Sequence, residues 1–301
     1  MLSILIPVYC FDVRPLVKDL WAQAHELDVP WEIRLLDDAS SEHWQLKNRE
    51  LGQLDGVSYE EEPVNIGRAQ MRNALTEAAR YDYLLFMDCD SGVPDGAFLK
   101  RYRQALQTDT VLCGGRTYTA VPGSTEVQLH WWYGSQREVK TAQQRQERPY
   151  EGFMTNNFVV PRAIAQRFPF EAQLQHYGHE DTLFGLELQR HQVPIRHLDN
   201  PLLHIGLDDT SNWLKKQQQA IQNLFWLSLQ HPDLQTRALR LWNWLHRFGL
   251  LRLAYRFLNR RAPYWQQRLQ TEQQPPLRLL DGLKIYWLEE ERRKLEVRNR
   301  R

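Results

Sequence analysis

Apolar positions along the first hundred residues follow two rhythms. Leu2-Ser3-Ile4-Leu5-Ile6-Pro7-Val8 is a near-continuous run that predicts a buried strand, and Leu16, Leu20, Ala24 and Leu27 then recur every three or four residues, the spacing of a helix face. Ile33 to Leu36 is a second strand ending in Asp37-Asp38-Ala39-Ser40, followed by a polar helix toward Leu51. A short strand at Val57 to Tyr59 leads to Asn65-Ile66-Gly67-Arg68 and a helix through Met71, Leu75 and Ala78-Ala79, and Tyr83 to Met87 is the next strand. Such alternation predicts an α/β fold with a mostly parallel, helix-covered sheet.

Beyond Asp90 the rhythm loosens. The pattern predicts a helix over 95–106, a strand at Val111-Leu112-Cys113 and a turn at Gly114-Gly115. From Pro122 to Glu147 runs a polar, Gln- and Arg-rich segment containing Trp131-Trp132, too long for an ordinary connection. Order returns with a strand after Asn156-Asn157. A glycine turn at Gly178 then brings His179, Glu180 and Asp181 to the start of an amphipathic helix, and a strand over 193–198 leads to Pro201-Leu202-Leu203-His204-Ile205-Gly206.

The last third is helical, with one long helix expected over Leu239 to Leu258. Leu241, Trp244, Leu245, Phe248, Leu251 and Tyr255 share its apolar face, bordered by Arg240, Arg247, Arg252 and Arg256. That arrangement suits either a cap packed on the protein or peripheral contact with a membrane surface. The final run from Glu289 to Arg301 reads as a charged helix or tail. The whole divides into an α/β domain over 1–210 and a helical extension over 211–301.

Composition narrows the classes. A net charge of +1 over 301 residues argues against a nucleic-acid binder. Cys10, Cys89 and Cys113 lie in or beside apolar runs without a CxxC pair, as expected of thiols in a reducing compartment. With no signal-like leader and no run long enough to span a bilayer, the sequence predicts a cytoplasmic protein, free or peripheral to the inner face of the membrane.

The candidate chemistry is acidic. Asp88 and Asp90 follow the Tyr83 to Met87 strand, and in extended backbone both would point to one side, a hard oxygen site suited to Mg2+ or Mn2+. In open α/β sheets ligands sit beyond the carboxyl ends of the strands, where this pair falls. Neither GxGxxG nor GxxxxGK[ST] is present, which disfavours dinucleotide oxidoreductases and P-loop NTPases. A phosphorylated ligand would instead be met by a metal ion and by Arg68 and Arg72, four apart on one helix face. Glu180 and Asp181 read equally as helix-start acids, kept ionised by the dipole, or as a second acidic station. His204, within an apolar run, reads as a buried structural histidine. Trp131, Trp132 and Tyr133 can stack on a ligand or pack in a core.

Taken together, SILIPVY at 3–9, DDAS at 37–40, NIGRAQMRN at 65–73, DCD at 88–90, TNNF at 155–158, GHED at 178–181 and LLHIG at 202–206 resemble family 2 glycosyltransferases of the GT-A fold. The resemblance covers roughly the first 210 residues. It implies a Rossmann-like, mostly parallel sheet covered by helices, with a helical C-terminal extension. It also implies an inverting, non-processive enzyme that uses Mn2+ or Mg2+ to move a sugar from a nucleotide-diphosphate donor, expected to be a UDP-sugar, to a glycan or glycolipid hydroxyl. Roles for residues follow from the same resemblance. Pro7, Asp37, Asp38, Gly67, Arg68, Arg72 and Asp88 would bind the donor, and Asp88, Asp90 and His204 the metal. Asp181 would be the base, supported by Glu180, while Asn156, Asn157, His179, Trp131 and Trp132 would meet the acceptor. Ala39 stands at the usual glycine position, and no QxxRW follows the ED acid, which disfavours processive synthases. The competing readings are a sugar nucleotidyltransferase and a carbohydrate-binding protein without catalysis.

Overall fold

The computed structural model describes residues 1–172 and 178–298. They form two compact units. The first takes in 1–119, 138–172 and 180–206, and the second 120–137, 178–179 and 207–298.

In the first unit the chain runs β1 (Leu2–Val8), α1 (Arg14–His25), β2 (Trp31–Asp37), α2 (Glu42–Asn48), β3 (Val57–Glu61), α3 (Arg68–Ala78), β4 (Tyr83–Met87), β5 (Ser91–Gly92), α4 (Phe98–Ala105), β6 (Val111–Cys113) and β7 (Arg116–Tyr118). After α5 (Gln128–Arg137), which belongs to the second unit, follow α6 (Ala142–Gln146), β8 (Asn157–Pro161), α7 (Arg162–Arg167), α8 (Glu180–Arg190), β9 (Ile195–His197) and β10 (Leu202–His204). Among the described residues the main sheet has the order β3-β2-β1-β4-β8-β6-β9. The pairs β3–β2, β2–β1, β1–β4 and β6–β9 are parallel, while β8 runs antiparallel between β4 and β6, with Phe86 opposite Phe158.

The run Tyr83 to Met87 is apolar throughout because both faces of the sheet are covered. Leu85 and Met87 join Ile4, Ile6, Leu20 and Phe98 in one core, and Leu84 and Phe86 join Leu5, Leu75, Phe158 and Phe184 in the other. The mostly parallel, helix-covered sheet is therefore present as the alternation predicts. A second sheet, of order β5-β10-β7, is invisible to periodicity because its strands are two or three residues long. The polar segment over 122–147 is not structureless. It contains α5 and α6, the latter started by a reciprocal cap between Thr141 and Gln144.

The second unit consists of α5 with α9 (Thr210–Gln230), α10 (Arg237–Arg247), α11 (Leu251–Thr271) and α12 (Arg278–Arg298). Helices α9 and α12 pack together, and Ile221, Leu224 and Leu227 of the one and Leu280, Leu283 and Leu288 of the other are buried. The single helix expected over Leu239 to Leu258 is broken. Gly249 adopts a left-handed φ of 68°, its N–H donates to the His246 carbonyl, and the Leu250 N–H reaches back to the Leu245 carbonyl. This is a Schellman stop, which ends α10 before α11 begins. The charged run from Glu289 is helical to Arg298, and positions 299–301 lie outside the described residues. Where the sequence suggests one division near 210, the segment 120–137 joins the C-terminal helices.

Candidate active site

The site is built on the first unit, around the carboxyl ends of β1, β2 and β4. Asp37 closes β2 and is fully buried. Its carboxylate accepts from the Ser40 N–H at 2.7 Å and from the Tyr59 hydroxyl at 3.0 Å, which fixes the Asp37-Asp38-Ala39-Ser40 turn against β3. Asp38 is also buried, and its two oxygens accept the Ile66 and Gly67 N–H groups at 2.6 and 3.0 Å. Burial raises the Asp38 carboxyl, those two N–H donors pull the other way, and the charge of Asp37 adds to the rise. Both acids expected at the nucleotide are thus engaged within the protein, since a tight turn leaves backbone donors that need acceptors. Ala39 sits at a φ of 55°, the conformation that explains the usual glycine there. Pro7 lies half-buried on β1, level with Leu36 of β2.

Gly67, at a φ of 83°, caps α3. Arg68 is exposed, with a guanidinium nitrogen 4.0 Å from a Glu180 oxygen. Arg72, one turn on, is among the most deeply buried large side chains. It donates to Asp88 at 3.1 Å, lies 3.8 Å from Glu180 and sits over the Phe170 ring at 5.4 Å. Helical spacing of four sets both arginines on one face, as the sequence suggests, and there both lie near the same acid, Glu180.

Strand β4 ends at Met87, so Asp88, Cys89 and Asp90 lie in a turn and the alternation of extended backbone does not govern them. Asp88 faces two cations, Arg72 and, at 3.5 Å, Arg116 of β7. Asp90 takes a different partner. Its Oδ1 lies 3.6 Å from His204 Nδ1, and its backbone carbonyl accepts the Ile205 and Gly206 N–H groups at 3.0 and 3.2 Å. Gly206 is required by contact, because a Cβ there would run into the Asp90 side chain. Burial by itself would raise the Asp90 carboxyl. The polar ring and charge of His204, then Arg116 and Arg68, outweigh it and hold Asp90 below the usual carboxylate range.

Asp88, Asp90 and His204 do not gather as the expected group of three. Among the described residues no three acidic, His or Cys side chains come together as a metal-binding group. Asp88 is neutralised by arginines, whereas Asp90 and His204 remain adjacent. Two protein donors would fit a hard ion that fills the rest of its shell from elsewhere, and the Asp90 Oδ1 atom is buried without a hydrogen-bond partner. His204, structural by the apolar run around it, is one half of that pair.

Arg116, Tyr118 and Glu138 belong to the site although no pattern in the sequence marks them. The Arg116 guanidinium lies 3.1 Å from Glu138, and the Tyr118 hydroxyl donates to the same carboxylate, so Glu138 steadies the cation against Asp88. A three-residue strand after a double glycine carries no signal of such a role. Pairing of β7 with β10 brings it about, setting Tyr118 opposite His204 with rings 5.5 Å apart.

Glu180 and Asp181 open α8. Asp181 accepts from the Thr182 N–H at 2.7 Å and from the Thr182 hydroxyl at 3.2 Å. Its pKa is pushed up to about 6, first by burial and then by the charge of Glu180, against the pull of Thr182 and Arg72. Burial and Glu180 outweigh the pull expected of the helix start, and a carboxyl at about 6 is still mostly ionised at neutral pH.

The residues expected at the acceptor divide. Asn157 is wholly buried; its amide donates to the Gly115 and Asn200 carbonyls and accepts from the Tyr102 hydroxyl, which leaves no edge for a ligand. Asn156 differs. Its backbone carbonyl accepts the Asp88 N–H, and its side-chain oxygen is buried without a hydrogen-bond partner. Trp131, Trp132 and His179 belong to the second unit, where Trp131 is buried and the Trp132 indole N–H donates to the Pro275 carbonyl. His179 holds a left-handed φ of 72° beside Gly178 at 96°.

A mostly parallel, helix-covered sheet with an acid-and-arginine cluster beyond its strand ends, together with a helical C-terminal region, is the architecture of a GT-A type glycosyltransferase. A family model described as glycosyl transferase family 2 matches residues 3–168, more than half of the chain, and the protein belongs to that family. No curated protein matches it in sequence. Among solved structures it is similar to the mannosyltransferase PcManGT from Pyrobaculum calidifontis, in complex with GDP-Man and Mn2+, at 14% identity and a TM-score of 0.53. That match covers 76% of this chain and 64% of PcManGT, a little under two thirds of its length. The chain is also similar to S. aureus TarS 1-349, at 14% identity and a TM-score of 0.50, covering 97% of this chain and 91% of that one. At these identities the likeness is one of fold. Family membership supports glycosyl transfer over the nucleotidyltransferase and carbohydrate-binding readings.

Proposed function

We propose that the protein transfers one sugar, or a few, from a UDP-sugar to a hydroxyl of a glycan or glycolipid, with inversion and with Mn2+ or Mg2+. The observation that carries this reading is a group of buried polar atoms without hydrogen-bond partners in one unit of the protein: Arg72 Nε and Nη1, Arg116 Nε, Asp90 Oδ1 and Asn156 Oδ1. Buried polar groups are nearly always satisfied, so donors and acceptors left over beside the Asp88 turn argue for a polar, charged ligand. A nucleoside diphosphate sugar has the required anionic and hydroxyl groups. PcManGT, bound to GDP-Man and Mn2+, supports a nucleotide-sugar donor in general; the uracil base rests on the sequence resemblance.

In this reading Asp38 shapes the base-binding turn through Ile66 and Gly67, and Pro7 and Asp37 support it from the sheet. Arg72 and Arg116 fix Asp88, while Arg68 meets the diphosphate. Asp90 and His204 would hold the divalent ion, which when bound offsets the charge that develops on the leaving diphosphate. Asp181 takes the acceptor proton. Its raised pKa suits a base, because a carboxylate near neutrality accepts a proton more readily than one at its ordinary value. Glu180, facing Arg68 and Arg72, belongs to the donor side. Asn156 is the acceptor contact of the first unit; acceptor roles for His179 and Trp132 rest on the resemblance alone. The enzyme acts in the cytoplasm, with its C-terminal helices in peripheral contact with a membrane.

Thermal shift with UDP-, GDP- and dTDP-sugars, each with Mn2+ or with chelator, tests the donor. Stabilisation by UDP-sugars that requires the ion is expected. A preference for another base overturns the UDP assignment, and equal stabilisation in chelator overturns the role of the metal.

A further inference from the structure

We propose that α10 and α11 form a docking surface for an anionic lipid bilayer. The inference deepens the peripheral contact included in the reading above and does not depend on the transfer chemistry. Residues 237–271 contain eight arginines and no acid, whereas the whole chain has a net charge of +1. The cationic character is therefore concentrated in these two helices, and the rest of the chain is net negative. Arg247, Arg252, Arg256 and Arg260 are exposed, and none has an acidic partner among the described residues.

Each helix also carries two sets of apolar residues. One set is buried in the second unit: Leu239 on α10, and Leu251, Leu258 and Leu269 on α11. The other faces water. Leu241, Trp244 and Phe248 follow the i, i+3, i+7 spacing of one helix face and are 47%, 51% and 59% exposed. Leu250, Leu253 and Phe257 repeat that spacing, at 39%, 64% and 55%. This is not the continuous face read from the sequence, because the Gly249 stop interrupts the helix and Leu251 is buried.

Exposed Trp, Phe and Leu bordered by arginine is the composition of helices that lie in a membrane interface, with the rings at headgroup depth and the guanidiniums on lipid phosphates. Among the described residues no helix is long and apolar enough to cross a membrane, so the contact is a surface one. A second copy of the chain is a poorer occupant. A two-fold interface brings a patch against itself and would set arginines against arginines with no acid in either helix to relieve them. Nucleic acid would satisfy the charge but leave the leucines in water.

The test uses the full chain and sedimentation with phosphatidylcholine vesicles, with and without about one third phosphatidylglycerol. Binding to the anionic vesicles that weakens with salt is expected. Changing Arg247, Arg252 and Arg256 together to Gln should lower the partition on the order of a hundredfold, since each basic residue near the surface contributes about a factor of five. A second variant, Trp244→Ser with Phe257→Ser, should weaken binding while leaving the charge intact. All five positions are exposed, so the unfolding temperature of the protein alone should hardly move, and that measurement reports that the fold is intact. Equal sedimentation with neutral and anionic vesicles, or none with either, overturns the proposal. So does self-association broken by Trp244→Ser, or RNA binding, in the absence of lipid binding. None of these results bears on the transfer reaction.

Discussion

Asp181 shows how much one side chain's surroundings matter. Asp181→Asn keeps the shape and removes the basicity, so transfer should fall by about 10² to 10⁴ while donor binding is retained. Single-turnover assays beside the donor thermal shift check this, and Glu180→Gln should cost less. With Asp181 as the proposed base, which must be ionised to act, the transfer rate should fall as pH drops through about 6, higher than for an ordinary carboxylate. Stability moves the opposite way. A carboxyl whose pKa is raised on folding costs nothing below the unfolded value of about 3.9, and its cost grows until it is complete above the folded value. Asp181→Asn should therefore unfold at a higher temperature than the parent above about pH 6 and lose that advantage near pH 4. Gly206 supplies a second prediction about a single position. Gly206→Ala pushes a methyl into the Asp90 side chain and should abolish metal-dependent donor stabilisation, at a fold cost of about 1–3 kcal/mol seen in urea unfolding.

Among the elements, most strands and helices of the first hundred residues are legible in the sequence because they bury a stripe or a whole run; α2, which buries only Asn48, is an exception. The short strands of the second sheet are not legible. β7 and β10 exist through their pairing with each other, and with them come Arg116, Tyr118 and the position of His204. The break between α10 and α11 is likewise hidden, since a lone glycine inside a helical pattern is tolerated in some helices and ends others. Here the ending depends on φ and not on contact, for nothing lies within 4 Å of a Cβ at Gly249. Gly249→Ala should accordingly cost about 1 kcal/mol in urea unfolding, the left-handed penalty alone, with the donor thermal shift unchanged.

Across the whole protein, ligand binding and stability are linked. Saturating donor with Mn2+ at about a hundred times its Kd should stabilise the enzyme by ~2.7 kcal/mol, and a chelator should remove that increment. Asp90→Ala should remove it too, whether or not the ion is present. An Asp90→Ala protein still stabilised by donor and Mn2+ would assign the ion to other ligands.

Local periodicity and motifs a few residues long were enough to establish the α/β layering, the strand ends where acids emerge, the placing of Arg68 and Arg72 on one helix face, and the resemblance that names the family. Which acid does what came from the packing of distant segments. Asp37 and Asp38 go to the backbone of their own turn and of the Ile66-Gly67 segment, Asp88 to Arg72 and Arg116, and Asp90 to His204. The physical reason is that a carboxylate's role is set by the nearest donors and cations and by its distance from water, and those neighbours arrive from strands and helices whose sequence separation says nothing about contact.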